Sequence, residues 1–355
     1  MKQRLAIFIL TVLLLPALAC RGVDAPQSTP APTEIPADTV TVEESTVELT
    51  VPSTPEPTPV PTDTPAPTET PTPEPTATPE PTPDGLLGGR YDGFIDGEPQ
   101  KTELSYKSER LSIEITRYDS SPLTRHLVYF VCDIHMQDID ALRTASWDGN
   151  FGIRGEKLWA PVKRMAGDAN ALLAINGDYY SYHPHTGLVI RNGERYAPDP
   201  WKPWKGHQIL FLYRDGTVAL FESDTFDPDA TDLSNVWQAW EFGPSLLDES
   251  GAARTSFHKA YRDIDRANPR TVFGYYEPGH YCFVVIDGRK SGYSNGLTLA
   301  QEAQLMESLG CAVAFNLDGG QTTQLYWNET ICNVPYDGGR STSDIIYIID
   351  PAADN

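Results

Sequence analysis

The stretch that constrains the fold most runs from Tyr281 to Thr323. Tyr281 to Ile286 is a continuous apolar run that ends in Asp287-Gly288-Arg289. Thr298-Leu299-Ala300-Gln301 then has the form of a capping box, Thr at the N-cap and Gln three residues later. Leu299, Ala303, Met306 and Leu309 fall on one helical stripe, and Gly310 stops the helix. Cys311 to Leu317 is a second apolar run, and it breaks into Asn316, Asp318, Gly319, Gly320, Gln321, Thr322 and Thr323. Strand, helix over 298–309, strand: this order predicts a right-handed crossover between parallel strands. Their carboxyl ends then point the same way, so Asp287 and Asp318 are expected on one sheet edge. The separation is about 5 Å for neighbouring strands and about 10 Å with one strand between. Open α/β sheets place ligands at such an edge.

The pattern recurs upstream. Ala171 to Ile175 is an apolar run that ends in Asn176-Gly177-Asp178-Tyr179-Tyr180. One such ending is a turn of good turn formers; two in one chain point to a shared site. Leu111 to Arg117 and Leu127 to His135 read as strands, with His135 a half-buried strand residue. Leu188 to Tyr196 reads as a hairpin with Asn192-Gly193 at its tip, and Gln208 to Phe221 as another around Asp215-Gly216. Arg270 enters a strand that pairs with Tyr281–Ile286 through Glu277-Pro278-Gly279-His280. Pro161–Ala169 and Asp232–Trp240 are read as short helices. The expected fold is α+β or mixed α/β: one domain, a mixed sheet holding the strand–helix–strand unit, and several antiparallel hairpins.

That domain does not fill the chain of 355 residues. Residues 1–20 read as an export signal, with Lys2 and Arg4 before an apolar run too short for a good membrane span. The run ends in Leu18-Ala19-Cys20, which looks like a bacterial lipobox with Cys20 as the lipidated residue. The protein is then expected on the outer face of a membrane, held by its lipid. Residues 21–84 are dominated by Pro, Thr and Glu, and proline denies a helix or ladder its donors. Extended at ~3.1 Å per residue, such a tether spans more than about 100 Å. Residues 85–355 hold all seven tryptophans and are long enough for a full core.

The net charge of −22 disfavours nucleic acid, whose backbone needs basic neutralisation. It leaves room for a small phosphorylated ligand held by a few arginines. Beyond Cys20, the cysteines are Cys132, Cys282, Cys311 and Cys332; none forms a Cys-x-x-Cys pair, and one or two structural disulfides are expected, with free buried thiols as the alternative.

Two acids on one edge, with Arg270, Arg289 and Arg340 nearby, suggest a chemistry. Arginine forks bind phosphate oxygens bidentately. Paired acids protonate a leaving oxygen, activate water or attack a sugar carbon. His183 and His185, two apart in a loop, either touch substrate, face solvent or ligate a metal. Trp201 and Trp204 either stack on a sugar or pack in the core. No metal or cofactor motif is present, and a structural calcium is not readable from the sequence.

Asn176-Gly177-Asp178-Tyr179-Tyr180, Pro269-Arg270-Thr271, Asp287-Gly288-Arg289, the Gly296-Leu297-Thr298-Leu299 helix start, Asn316-Leu317-Asp318-Gly319-Gly320 and Asn333-Val334-Pro335 followed by Arg340 recur in that order. Together they resemble the phosphodiester glycosidase family over about residues 110–350. The resemblance implies a mixed α/β fold and hydrolysis of a sugar-1-phosphodiester at the glycosidic C–O bond. It implies Asp318 and Asp287 as catalytic acids. Arg270, Arg289, Arg340, Asn176, Asp178, Asn316, Gly319, Gly320, Thr322 and Thr323 are the implied substrate contacts. Many members carry a third glycine and serines where this chain has Gln321, Thr322 and Thr323. The Asp178-Tyr179-Tyr180 segment also departs from the small residue and phenylalanines of another member. Both departures fall where the sugar is expected. The expected substrate is a surface or extracellular phosphoglycan. A non-catalytic glycan-binding lipoprotein and a metal-dependent phosphodiesterase cleaving P–O are the alternatives.

Overall fold

The computed structural model describes residues 86–88, 91–120, 126–149, 151, 159–178, 180, 187–197 and 201–351. All lie within the compact unit Pro75–Asn355. The signal, Cys20, the 21–84 tract, Tyr179, His183 and His185 lie outside the described residues.

Three antiparallel sheets build the domain. The first has seven strands, in the order β1 (Gln100–Lys101), β2 (Ser105–Lys107), β3 (Leu111–Asp119), β4 (Val128–Met136), β13 (His280–Ile286), β12 (Arg270–Glu277) and β14 (Val313–Asn316). The second runs β10 (Val218–Glu222), β9 (Gln208–Tyr213), β11 (Val236–Phe242), β7 (Val189–Arg191) and β8 (Glu194–Ala197). The third runs β16 (Thr330–Ile331), β15 (Leu325–Trp327), β6 (Leu173–Asn176), β17 (Asp344–Ile348) and β5 (Leu142–Ser146). Two α-helices, α1 (Val162–Asp168) and α2 (Leu299–Ser308), complete the described elements.

The apolar runs are continuous because their strands are covered on both faces. In β13, Tyr281, Phe283 and Val285 enter the central core, where the three sheets meet. Cys282, Val284 and Ile286 face the other way and pack with Leu299, Ala303 and Met306 of α2. α1 covers the outer face of the third sheet in the same manner, with Val162, Met165 and Ala166 against Ala174, Ile345 and Tyr347.

The capping box forms in full. Thr298 Oγ1 accepts from the Gln301 amide at 3.3 Å, and Gln301 Oε1 accepts from the Thr298 amide at 3.1 Å. Gly310 follows with φ of +79°. The Asn192-Gly193 hairpin tip also holds, both residues at positive φ (53° and 82°), as the favoured two-residue turn requires.

Three expectations are corrected. The first sheet is not mixed: each of its pairings is antiparallel. β13 and β14 do run the same way, but β12 lies between them, antiparallel to both. The tight Pro278-Gly279 turn commits β12 to one side of β13, and β4 occupies the other. The crossover through α2 must therefore step over β12. Residues 232–240 form no helix, and β11 begins at Val236 with Val236, Trp237, Gln238, Ala239 and Trp240 all buried. The expected disulfides are not formed: Cys132, Cys282, Cys311 and Cys332 are free. Cys282 and Cys311 come within 3.7 Å through their sulfurs.

Candidate active site

The site lies where the strand ends of the three sheets converge. Asn176 closes β6, and its carboxamide ties two sheets together. Nδ2 donates to the Asp318 carbonyl at 2.6 Å, and Oδ1 accepts from the Thr271 hydroxyl at 2.8 Å. The Asp318 amide returns a bond to the Gly177 carbonyl at 3.3 Å. The two polar strand endings thus meet directly, 142 residues apart in sequence. Gly177 leaves room for the Asp344 carboxylate, which a Cβ there would overlap.

Asp318 is the acid at the centre. Its Oδ2 accepts from Arg340 Nη2 at 3.0 Å and its Oδ1 from the Gly319 amide at 2.9 Å. Burial pushes the carboxyl up to about 6, against the pull of Arg340, Thr322 and the Gly319 amide. The nearby Asp178 pushes the same way as burial. Thr322 is fully buried and donates to the Gly319 carbonyl at 2.8 Å. Gly319 sits against the Pro269 carbonyl, and Gly320 has φ of +71° beside the Arg289 guanidinium. Among the described residues, the hydroxyl of Thr323 and Oδ1 of Asn316 are buried without a hydrogen-bond partner. Asn316 Nδ2 donates to the Gly243 carbonyl at 2.8 Å.

Asp287 lies on the same edge but in a different setting. Oδ1 accepts from Asn333 Nδ2 at 2.8 Å, and Oδ2 accepts from the Tyr293 hydroxyl at 2.8 Å and the Val334 amide at 3.1 Å. Burial raises its carboxyl, and these donors oppose the rise. Both oxygens are committed to holding the Asn333-Val334 segment.

The arginines also divide. Arg270 is buried and donates to the carbonyls of Leu297, Asp263 and Arg266 at 3.1, 2.9 and 3.3 Å. It lies 3.7 Å from the fully buried Glu302, whose carboxyl burial pushes up to about 8. Arg270 is thus turned toward α2 and the 263–266 loop. Arg289 is exposed, with φ of +55°. Its Nε donates to Asn268 Oδ1 at 2.8 Å, and its guanidinium lies 5.3 Å over the Tyr336 ring. Among the described residues Arg289 makes no ion pair with a carboxylate. Arg289 lies beside Gly320, and Arg340 is bonded to Asp318, the residue before the Gly319-Gly320 turn.

Beneath this surface is an ion cluster that sequence reasoning missed. Arg191, fully buried at the end of β7, donates from Nη2 to Asp178 at 2.9 Å and from Nε to Asp344 at 2.8 Å. It also donates to the Ala239 carbonyl. Burial raises the carboxyls of Asp178 and Asp344, and Arg191 pulls both down. A signal was available. Arg191 ends the apolar run Leu188-Val189-Ile190, and Asp344 opens the run Ile345–Ile349. A charge inside a buried strand needs an opposite charge.

A model of the phosphodiester glycosidase domain matches residues 169–349, just over half of the chain. The chain belongs to the phosphodiester glycosidase family. Among curated proteins, the SPbeta prophage-derived uncharacterized protein YomE of Bacillus subtilis (strain 168) is 28% identical over 195 residues. That match covers 54% of this chain and 30% of the relative, so the chain spans less than a third of its length. Among solved structures, the catalytic domain of zebrafish N-acetylglucosamine-1-phosphodiester alpha-N-acetylglucosaminidase, auto-inhibited by its pro-peptide, aligns with a TM-score of 0.55. It is 20% identical, and the alignment covers 71% of this chain and 88% of that one. The chain therefore shares that domain's fold.

Proposed function

We propose that the protein hydrolyses the glycosidic C–O bond of a sugar-1-phosphodiester. The observation that carries this reading is the buried Asp318 carboxyl, flanked by Arg340 and by the exposed Arg289 across a glycine turn. In this proposal Arg289 takes the phosphate oxygens, assisted by Arg340. A phosphate monoester departs readily as an anion, since its second pKa is about 6. The demanding step is then activation of water. Asp318 takes a proton from the water that attacks the anomeric carbon. The C1–O bond breaks, its electron pair leaves with the phosphate, and the sugar gains the hydroxyl. Asp287 positions the Asn333-Val334 segment, and the Asp178–Arg191–Asp344 cluster holds the floor of the site.

Hydrolysis in oxygen-labelled water tests the reading. Label in the sugar is the expected result. Label in the phosphate would instead establish P–O cleavage, and tight sugar-phosphate binding without turnover would leave a binding protein.

We further propose that Cys20 carries a lipid and that the 21–84 tract sets the domain out from a bacterial membrane, within reach of surface phosphoglycans. Among the described residues no helix is long and apolar enough to cross a membrane. Metabolic labelling with a fatty acid, lost in Cys20→Ala, checks the anchor; labelling that persists in the variant sinks it.

A further inference from the structure

At the far end of β4 and β13, three side chains converge that the glycosidase reading does not use. His135 and His280 are directly opposite each other in the β4–β13 ladder. Asp133, two residues before His135, falls on the same face. The Nε2 of His280 lies 2.8 Å from Asp133 Oδ1, and the Nε2 of His135 lies 3.3 Å from Oδ2. The three donor atoms lie within 4.8 Å of one another.

We propose that Asp133, His135 and His280 bind one divalent transition-metal ion of the zinc class. Two ligand atoms bound to one tetrahedral zinc at ~2.1 Å lie ~3.4 Å apart. The His135 Nε2–Oδ2 separation is near that value and the His280 Nε2–Oδ1 separation is about half an ångström short of it; the histidines meet different oxygens, so the carboxylate would span the ion with both.

The rings form a stack that shared ligation of one ion would have to open. The imidazoles stack at 3.8 Å and 19°, Tyr91 covers His135 at 3.5 Å and 4°, and Tyr276 covers His280 at 4.1 Å and 18°. Both Nε2 atoms meet the one carboxylate, and because the planes are nearly parallel one imidazole must turn about its Cβ–Cγ bond for both to share an ion. Side-chain exposures of 16% for His135, 23% for His280 and 41% for Asp133 leave the ion partly shielded and open to a water. Both histidines line a cavity of about 350 Å³ that Asp92 and Glu277 also line, so further oxygen donors stand nearby. Two imidazoles and a carboxylate suit zinc, copper or nickel; calcium and magnesium prefer all-oxygen sets.

The ion would lie outside the candidate active site. His280 opens β13 and Asp287 follows its last residue, which puts about 23 Å between them at ~3.3 Å per residue. Its effect would be to clip the neighbouring strands β4 and β13 together.

The test uses the full chain, stripped with a chelator and then titrated with zinc by calorimetry. One ion per chain is expected, with a rise in melting temperature. His280→Gln, which keeps an amide able to meet Asp133, and Asp133→Asn should each weaken binding at least tenfold. Cobalt substitution reads the ligands, since Cys282 stands opposite Asp133 on this face. Bands of a nitrogen–oxygen site without thiolate charge transfer are expected. Absence of stoichiometric zinc, undiminished affinity in both variants, or a thiolate band would each overturn the assignment.

Discussion

Arg340 Nη2 lies 3.0 Å from Oδ2 of Asp318, pairing a guanidinium that is 29% exposed with a carboxyl that is 10% exposed. Burial raises the acid and the arginine lowers it, and the balance lies near 6. An acid poised there is mainly ionised at neutral pH and can accept a proton from water.

Asp318→Asn removes that acceptor without changing shape. Turnover of a chromogenic sugar-1-phosphodiester should fall by roughly 10²- to 10⁴-fold, the usual contribution of a general base. Unchanged turnover would take Asp318 out of the mechanism.

The pH profile follows from the same pair. As a base, Asp318 works in its ionised form, so kcat/KM should rise with pH through about 6. Arg340 lowers the carboxyl, so Arg340→Ala should move that limb to higher pH. A limb that stays in place would show that the titrating group is not Asp318.

Arg289 is exposed beside the glycine turn and anchored through Nε to Asn268. Loss of a charge-assisted hydrogen bond costs about 1.5–3 kcal/mol, so Arg289→Ala should raise KM roughly 10- to 150-fold. Arg289→Lys keeps the charge but not the fork and should recover only part of this. Steady-state kinetics decide, and a KM unchanged in both variants would rule out phosphate contact.

Asp287→Asn separates the two acids. The change puts an NH2 group against the donors of one of the two oxygens, either Asn333 or Tyr293, with Val334 beside both. Destabilisation of about 1–3 kcal/mol is expected, with turnover per folded molecule falling less than in Asp318→Asn. Denaturant unfolding run beside activity checks both. A catalytic loss equal to that of Asp318→Asn with unchanged stability would make Asp287 a second chemical group.

Glu302 offers a test of the fold alone. Its carboxyl is pushed from the ordinary 4.5 up to about 8 by burial, only partly offset by Arg270. The folded state therefore holds a proton that the unfolded state has released between these values. The stabilisation is full below about 4.5 and is lost as pH rises through about 8. Glu302→Gln should flatten the fall in melting temperature over that window. An identical slope in the variant would show that Glu302 does not carry it.

What the sequence determined by itself was local. The capping box of α2 joins residues three apart, and the Asn192-Gly193 turn needs only its own two backbone conformations. Both acid-bearing strand ends and their shared edge were legible from the run lengths around Asp287 and Asp318. The tertiary structure decided what each group faces. It inserted β12 between β13 and β14, because the hairpin and β4 had taken both sides of β13. It spent both oxygens of Asp287 on Asn333, Val334 and Tyr293, turned Arg270 toward Glu302, and left Arg289 exposed. It also joined Arg191 to Asp344 across 153 residues. Capping and turn bonds close within a few residues, so their partners can be read along the chain. The partners of a buried charge come from whichever strands the packing brings together, and only the closed core specifies which those are.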